Sequence, residues 1–328
     1  MGDSRPLLGL LLTTLLAAPA GAGSSAVDTA SAWLERMNRA VRTLDYQGRF
    51  VYQYGDHLEA LYIRHSDDER GRDHERLVSL NGSVRQVVRD DDTVICLMPR
   101  AEKLDVDRRA VGRSLSPILP IRPGELAQHY RFEVGDQTRV AGRKAQEIVI
   151  LPRDNLRYGY RLALDGEHAL PLRTAMLDQD GRVVSQIMFT ELRVGEAAEE
   201  EHEPLPDIPS PPESGHKGNQ RDRAFLMKPA GWRFLSPPSG FVLSLHRRYA
   251  KARGGADVEH FVFSDGLATV SVYVEPLGGH GVMGATHVGP VNVYGRQVDG
   301  HQVTVVGEVP TETLQLFGDN ITRVAAAR

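Results

Sequence analysis

Two periods of apolar residues follow one another along the chain, and the switch between them marks its first elements. Leu34, Met37, Val41 and Leu44 recur at helical spacing with Trp33 and Ala40 beside them, while Glu35, Arg36, Asn38, Arg39 and Arg42 take the other side. A helix with such a stripe has to cover something apolar, most simply a sheet. From Tyr46 the period drops to two. Tyr46, Gly48, Phe50, Tyr52 and Tyr54 alternate largely with Gln47, Arg49 and Gln53, which predicts a half-buried strand. Residues 57–65 predict the next strand, and residues 76–80 and 83–89 flank Asn81-Gly82, a pair whose members both accept positive φ and so favour a hairpin. Residues 93–98 continue this meander. Asp165-Gly166 joins predicted strands at 158–164 and 170–177, and Asp180-Gly181 leads into a long one at 183–194.

Residues 99–123 break the pattern with Pro117, Pro120 and Pro123, Arg108 and Arg109, and scattered leucines. A connection this long without clear structure is unusual and often functional. A short helix is expected to begin at Pro123, where proline is tolerated in the first turn. Composition shifts again at residues 196–222, where five glutamates from Glu196 to Glu203 run into Pro204, Pro206, Pro209, Pro211 and Pro212. Charge repulsion and proline stiffness predict an extended, solvated linker, with binding of a basic partner as the alternative. Beyond it strands are expected at 241–245, 258–264, 267–274, 292–298 and 302–307, with hairpins over Asp265-Gly266 and Asp299-Gly300. A terminal helix opens at Pro310 and Thr311 and carries Leu314, Leu316 and Phe317. The fold class is therefore α+β with antiparallel sheets in a larger domain at 23–195 and a smaller one at 223–328.

The N-terminus adds a destination. Arg5 precedes an uncharged apolar run from Leu7 to Ala18, Pro19 ends it, and Ala20-Gly21-Ala22 has the small-x-small form that signal peptidase accepts. The run is shorter than the roughly 20 residues a spanning helix needs, so residues 1–22 are expected to be a cleaved signal peptide of an exported protein. No cysteine sits at the cleavage site, which argues against a bacterial lipoprotein anchor. Hydrophobic residues make up 41% of the chain and charged ones 25%, the balance of a globular protein, and a formal charge of −4 gives no reason to expect nucleic acid.

A search for chemistry excludes more than it finds. Cys96 is the only cysteine, so no disulfide forms within the chain, and its apolar setting suits a small buried hydrophobe. The chain has no Gly-x-Ser-x-Gly elbow, phosphate loop or His-Glu-x-x-His motif. The glycine-rich run from Gly278 to Gly284, followed by His287, does not lead from a strand into a helix, and its two histidines lack companions as metal ligands. It is expected to be a flexible connection between strands. Asp90-Asp91-Asp92 on a strand would point in alternating directions, and they suit a turn better than a cation site. No catalytic residue, metal site or cofactor is expected.

Several runs together carry a resemblance. Trp33-Leu34, the run from Tyr46 to Tyr52, Glu75 to Gly82, Gly231-Trp232, Pro238-Ser239-Gly240-Phe241 and Phe261 to Leu267 resemble the MucB/RseB regulators of the envelope-stress sigma factor, sigma-E or AlgU, over both domains in order. The resemblance implies a periplasmic negative regulator without enzymatic activity. Such a protein binds the periplasmic segment of a transmembrane anti-sigma factor of the RseA/MucA type and shields it from a site-1 protease of the DegS kind. It also implies that the larger domain is an unclosed β-barrel like the carriers LolA and LolB, whose concavity takes lipid or lipopolysaccharide fragments that release the partner. The alternative is a periplasmic lipid or lipoprotein carrier, for which a second domain after a linker is not needed.

Candidate residues follow from the alternation and the exposed strand ends. Tyr46, Phe50 and Tyr52 would line a lipid cavity if they point inward, although a solid core requires the same pattern. Arg247, Arg248 and Tyr249 are candidate partner contacts, because arginine and tyrosine combine apolar area with hydrogen bonding; a solvated strand end is the alternative.

Overall fold

A computed structural model of the protein describes residues 22–67, 73–82, 86–90, 93–97, 121–195, 231–249, 257–278 and 281–324. The expected signal peptide up to residue 21, the Glu/Pro-rich stretch and residues 98–120 lie outside them. Helix α1 (Ala22–Thr43) leads into a meander of β1 (Tyr46–Tyr54), β2 (His57–Asp67), β3 (Asp73–Ser79), β4 (Gln86–Asp90) and β5 (Thr93–Leu97). The short helix α2 (Pro123–Leu126) precedes β6 (Tyr130–Val140), β7 (Arg143–Pro152), β8 (Gly159–Asp165), β9 (Pro171–Leu177) and β10 (Val183–Val194). All ten strands form one antiparallel sheet in the order β5-β4-β3-β2-β1-β10-β9-β8-β7-β6. Among the described residues the sheet does not close on itself, and β5 and β6 are its edge strands.

The amphipathic stripe does what its spacing predicts. Ala30, Leu34, Met37 and Ala40 are buried against the sheet, and the guanidinium of Arg36 on the solvent side lies 4.5 Å over the ring of Trp33. Asn38 ties α1 to the segment before α2, accepting from the Ile121 amide at 2.9 Å and donating to the Ile121 carbonyl. At Asn81-Gly82 the Asn81 amide side chain reaches across to Ala60 N at 2.8 Å and Leu58 O at 3.2 Å, pinning the register of β2 and β3.

Residues 231–324 build a second unit. β12 (Val242–Tyr249), β13 (Val258–Ser264), β14 (Thr269–Pro276), β15 (Gly284–Val288), β16 (Val291–Val298) and β17 (His301–Gly307) form a sheet in the order β12-β13-β14-β17-β16-β15. Helix α3 (Thr311–Asp319) packs Leu314 and Phe317 onto it, and β11 (Trp232–Phe234) pairs with β18 (Ile321–Arg323) beside it. The rings of Phe234, Phe263 and Phe317 meet at the centre of this core.

Several elements differ from the sequence expectation, among them the short strands β11 and β18, which it does not include. The β6–β7 hairpin was not expected, because its turn residues are Ala141 and Gly142, both at positive φ, and alanine carries no turn signal. Gly284 opens β15 instead of closing a loop, and every residue of that strand is exposed, so it lacks the alternation that reveals a half-buried strand. The helix at Pro123 ends after four residues, and His129 leads directly into β6.

Gly48 lies where β1 and β10 approach closely beside a bulge at Arg49/Phe50. A Cβ there would sit 2.3 Å from the Glu191 carbonyl oxygen and 3.0 Å from the Phe189 ring. The obstacle is backbone in the middle of the sheet and cannot swing aside. Gly48→Ala is therefore expected to cost about 1–3 kcal/mol, the range for overpacked sites. Urea denaturation checks this, and an unchanged midpoint would mean that the bulge absorbs the extra methyl.

Candidate functional site

The inner face of the first sheet, beneath α1, is largely apolar, with His65 and Glu75 as buried polar residues among the described ones. Tyr46 and Phe50 face it, 1% and 3% exposed, among Ala40, Ile63, Leu77, Phe189 and Leu192. Tyr46 stacks on His65 with ring centroids 4.9 Å apart, and His65 Nδ1 lies 2.9 Å from the Leu44 carbonyl. Phe50 meets Phe189 at 5.4 Å. These two rings are thus packed core, tied to the C-terminal end of α1. Tyr52 follows on the same face of β1 but is only half-buried, its ring 5.4 Å from Tyr54.

Tyr52 and Tyr54 look toward the second domain. Gly289 of the β15–β16 turn lies against the Tyr54 ring. Burial, and then the negative charge of Glu308, push the Tyr52 phenol up to about 12. Glu308 keeps much of its surface in solvent while protein crowds its other side, and that desolvation raises its carboxyl. Next to it, Asn292 donates to Tyr158 Oη at 3.0 Å and to the Val309 carbonyl at 2.8 Å. Thr313 at the start of α3 donates to the Leu156 carbonyl at 2.8 Å.

The tightest contact between the domains is ionic and dry. Arg157, fully buried in the loop between β7 and β8, donates from Nε to Asp265 Oδ2 at 2.5 Å. It also donates to Asp154 and to the Ser239 carbonyl, and its Cζ lies 4.7 Å over the Phe241 ring. Tyr130 Oη donates to the same Asp265 oxygen at 2.9 Å. The other carboxylate oxygen accepts from the amides of Leu267 at 2.9 Å and Ala268 at 2.7 Å. Every polar group of this cluster therefore has a partner, the condition under which a buried ion pair is tolerated. Gly240 allows the approach. It has φ +84, and a Cβ would sit 2.3 Å from His129 Nε2 and 2.6 Å from Arg157 Nη2.

The remaining candidates lie elsewhere. Arg247, Arg248 and Tyr249 end β12, an edge strand of the second sheet. Arg248 is half exposed and pairs with Asp257 at 2.9 Å, Arg247 is half-buried, and the side chain of Tyr249 lies outside the described residues. Val242 and Leu243 near the start of this edge are exposed. Of Cys96 and Asp90 only the strand backbone is described, Asp90 pairing with Thr93, and Asp91 and Asp92 lie outside the described residues. His287 stands on β15 in solvent. A pocket of about 510 Å³ beside Trp33 is lined by Gln137, Arg143, Lys144, Gln146 and Asp165. Burial alone would raise the Asp165 carboxyl, but hydrogen bonds from Arg143 at 2.8 and 3.1 Å and from the His168 amide outweigh it and hold the carboxyl low. Among the described residues no three His, Cys, Asp or Glu side chains gather as a metal site, and no helix is long and apolar enough to cross a membrane.

Sequence reasoning did not single out Arg157, Asp265 or Tyr130. Asp265 stands first in a hairpin turn and within the Phe261 to Leu267 run that carries the resemblance, but its partner is 108 positions away. Two of the runs that carry the resemblance, Pro238-Ser239-Gly240-Phe241 and Phe261 to Leu267, fall on this junction.

Two family models match successive parts of the chain. Residues 29–208 match the family model of the MucB/RseB N-terminal domain, and residues 227–322 that of the MucB/RseB C-terminal domain. The chain is 32% identical over 326 residues to the sigma factor AlgU regulatory protein MucB of Pseudomonas aeruginosa, covering 97% of this chain and 98% of that protein. It is 27% identical over 307 residues to the sigma-E factor regulatory protein RseB of Escherichia coli, covering 92% of each. A solved structure of the Pseudomonas aeruginosa MucA/MucB complex superposes with a TM-score of 0.71 at 31% identity, over 91% of this chain and 100% of that one. With both domain models matched in order across most of its length, the chain belongs to the MucB/RseB family, whose members are sigma-factor regulatory proteins and not enzymes.

Proposed function

We propose that this protein is a periplasmic regulator that binds the periplasmic segment of a MucA/RseA-type anti-sigma factor and so restrains a sigma-E/AlgU-type factor. The observation that carries this reading is the similarity, through both domains, to a MucB solved together with MucA. In finer detail, the signal peptide at residues 1–22 exports the chain, and bound protein shields the anti-sigma factor from site-1 proteolysis. The Glu/Pro-rich stretch at 196–222 tethers two domains that grip the partner together, which raises effective concentration so that two modest contacts give strong binding. Arg247, Arg248 and Tyr249 are the proposed contacts on the second domain, where the free edge of β12 supports the reading.

Lipid or lipopolysaccharide fragments are the proposed release signal, with the inner face of the first sheet as their site. Tyr52 borders that face where it is least packed. Tyr46 and Phe50 line it only if their rings shift, since both now fill core. Because linkage is reciprocal, a lipid that releases the partner has to bind the partner-free protein better than the complex. A lipid or lipoprotein carrier is the second reading, favoured by the unclosed apolar concavity; it requires lipid binding that leaves partner affinity unchanged.

Calorimetric titration of the full mature chain with the periplasmic segment of the anti-sigma factor from the same cell tests the proposal. Saturable binding is expected, weakened tenfold or more by combined Arg247→Ala and Arg248→Ala. Absence of binding by the unaltered protein would overturn the regulatory reading. Tight binding unaffected by the two substitutions would remove the β12 end from the interface.

A further inference from the structure

The β13–β14 hairpin of the second domain ends inside the first. Leu267, only 6% exposed, belongs to the same apolar cluster as Leu34 and Met37 of α1, Leu126 of α2, Tyr130 of β6 and Ile148 of β7. The preceding Gly266 has φ +98, and a Cβ on it would lie 3.3 Å from Leu126 Cδ2. One residue earlier, Asp265 is held by Arg157 and Tyr130 of the first domain. Beneath α1 the inner face is occupied by Tyr46, Phe50 and Phe189; toward α2 it is completed by a side chain from another domain.

We propose that this hairpin tip is a stopper: Leu267 occupies the apolar space that an acyl chain would take, and the Arg157–Asp265 pair is the latch that seats it. The tip has to withdraw before the inner face between α2 and β6–β8 admits a ligand, so ligand entry and domain separation are one event. The chemistry of the latch makes that event all-or-none. A lone buried charge is severely disfavoured, so neither ion can leave without the other. When both leave, both are hydrated, and much of the Coulomb attraction lost on opening is recovered from water. An apolar seat that a ligand can refill, beside an ion pair that water can satisfy, gives two discrete arrangements rather than a graded one. Two-domain binding of the anti-sigma factor is then coupled to the contents of the first domain, because any partner that spans both domains senses their separation.

This inference rests on the lipid-binding reading above, and the experiment separates the two. The full mature chain is titrated with 11-(dansylamino)undecanoic acid, a fluorescent acyl probe, and small-angle X-ray scattering follows its radius of gyration. Asp265→Asn removes the charge that Arg157 requires, and Leu267→Ser removes the apolar stopper; Leu267→Met serves as the conservative control. Both disruptive variants are expected to bind the probe at least tenfold more tightly than the unaltered chain and to have a larger radius of gyration, with the control unchanged. In the unaltered chain, probe binding is expected to raise the radius of gyration, a readout that needs no variant to fold. Equal probe affinity in all chains, or binding without expansion, overturns the stopper while leaving lipid binding intact. No binding to any chain overturns both.

Discussion

Arg157→Ala is expected to cost the docked protein about 3–5 kcal/mol, the range for stranding one member of a buried ion pair. Arg157 is fully buried, and the Asp265 side chain beside it is equally inaccessible. Without the guanidinium, the Asp265 carboxylate would retain only Tyr130 Oη and two backbone amides as donors. The Ser239 carbonyl would lose its donor and the Phe241 ring its cation. The penalty has a ceiling. Once it exceeds what docking contributes, the domains part and Asp265 is hydrated, while each sheet keeps its own core. Calorimetry on the intact chain should therefore show one unfolding transition for the unaltered protein and two for the variant. Arg157→Lys restores the charge but not the planar fork that reaches Asp265, Asp154 and Ser239 at once, and it should recover only part of the loss. A single transition at the original temperature for Arg157→Ala would mean that the junction contributes little to holding the domains together.

The second large effect is alkaline. Tyr130 and Tyr160 are both buried, at 1% and 6% exposure. Burial raises each phenol well above its ordinary range; the charge of Asp265 adds to this at Tyr130, and those of Glu308 and Asp265 add to it at Tyr160. The sign follows from linkage. A phenol whose pKa is higher in the folded than in the unfolded chain contributes stability that is complete below about pH 10 and falls as pH rises beyond it, because only the unfolded chain ionises readily. Each group contributes a slope of about 1.4 kcal/mol per pH unit, so the pair approaches about 3 kcal/mol per unit. Urea denaturation between pH 9 and pH 11 should show this decline. Tyr160→Phe should remain close to the unaltered protein at neutral pH and lower the slope above pH 10 by about 1.4 kcal/mol per unit, the share of one phenol. An alkaline slope that Tyr160→Phe leaves untouched would place its source in other groups.

Much of the fold was legible along the chain, and the physical reason is local. The stripe from Leu34 to Leu44, the alternation from Tyr46 to Tyr54 and the turns at Asn81-Gly82, Asp265-Gly266 and Asp299-Gly300 each report on backbone conformation and on which side faces the core, within a few residues of themselves. The resemblance carried by short runs in both domains reached the family as well. Elements whose residues lack such signals were not legible. The β6–β7 turn uses Ala141 where asparagine or aspartate would have announced it, and β15 is exposed on all sides.

The junction between the domains was the least visible part, because nothing in the neighbourhood of a residue states what it will meet from the other domain. The sequence by itself determined two antiparallel α+β units, an amphipathic helix to cover the first, and an aromatic face on β1. Only the tertiary structure decided that Tyr46 and Phe50 are core while Tyr52 faces Glu308, that Leu267 completes the first domain's apolar cluster, and that Arg157 and Asp265 meet. Periodicity selects a side of a strand or helix, whereas the partner on that side is set by packing between segments far apart in the chain, where burial decides whether an aspartate is a turn residue or half of an ion pair.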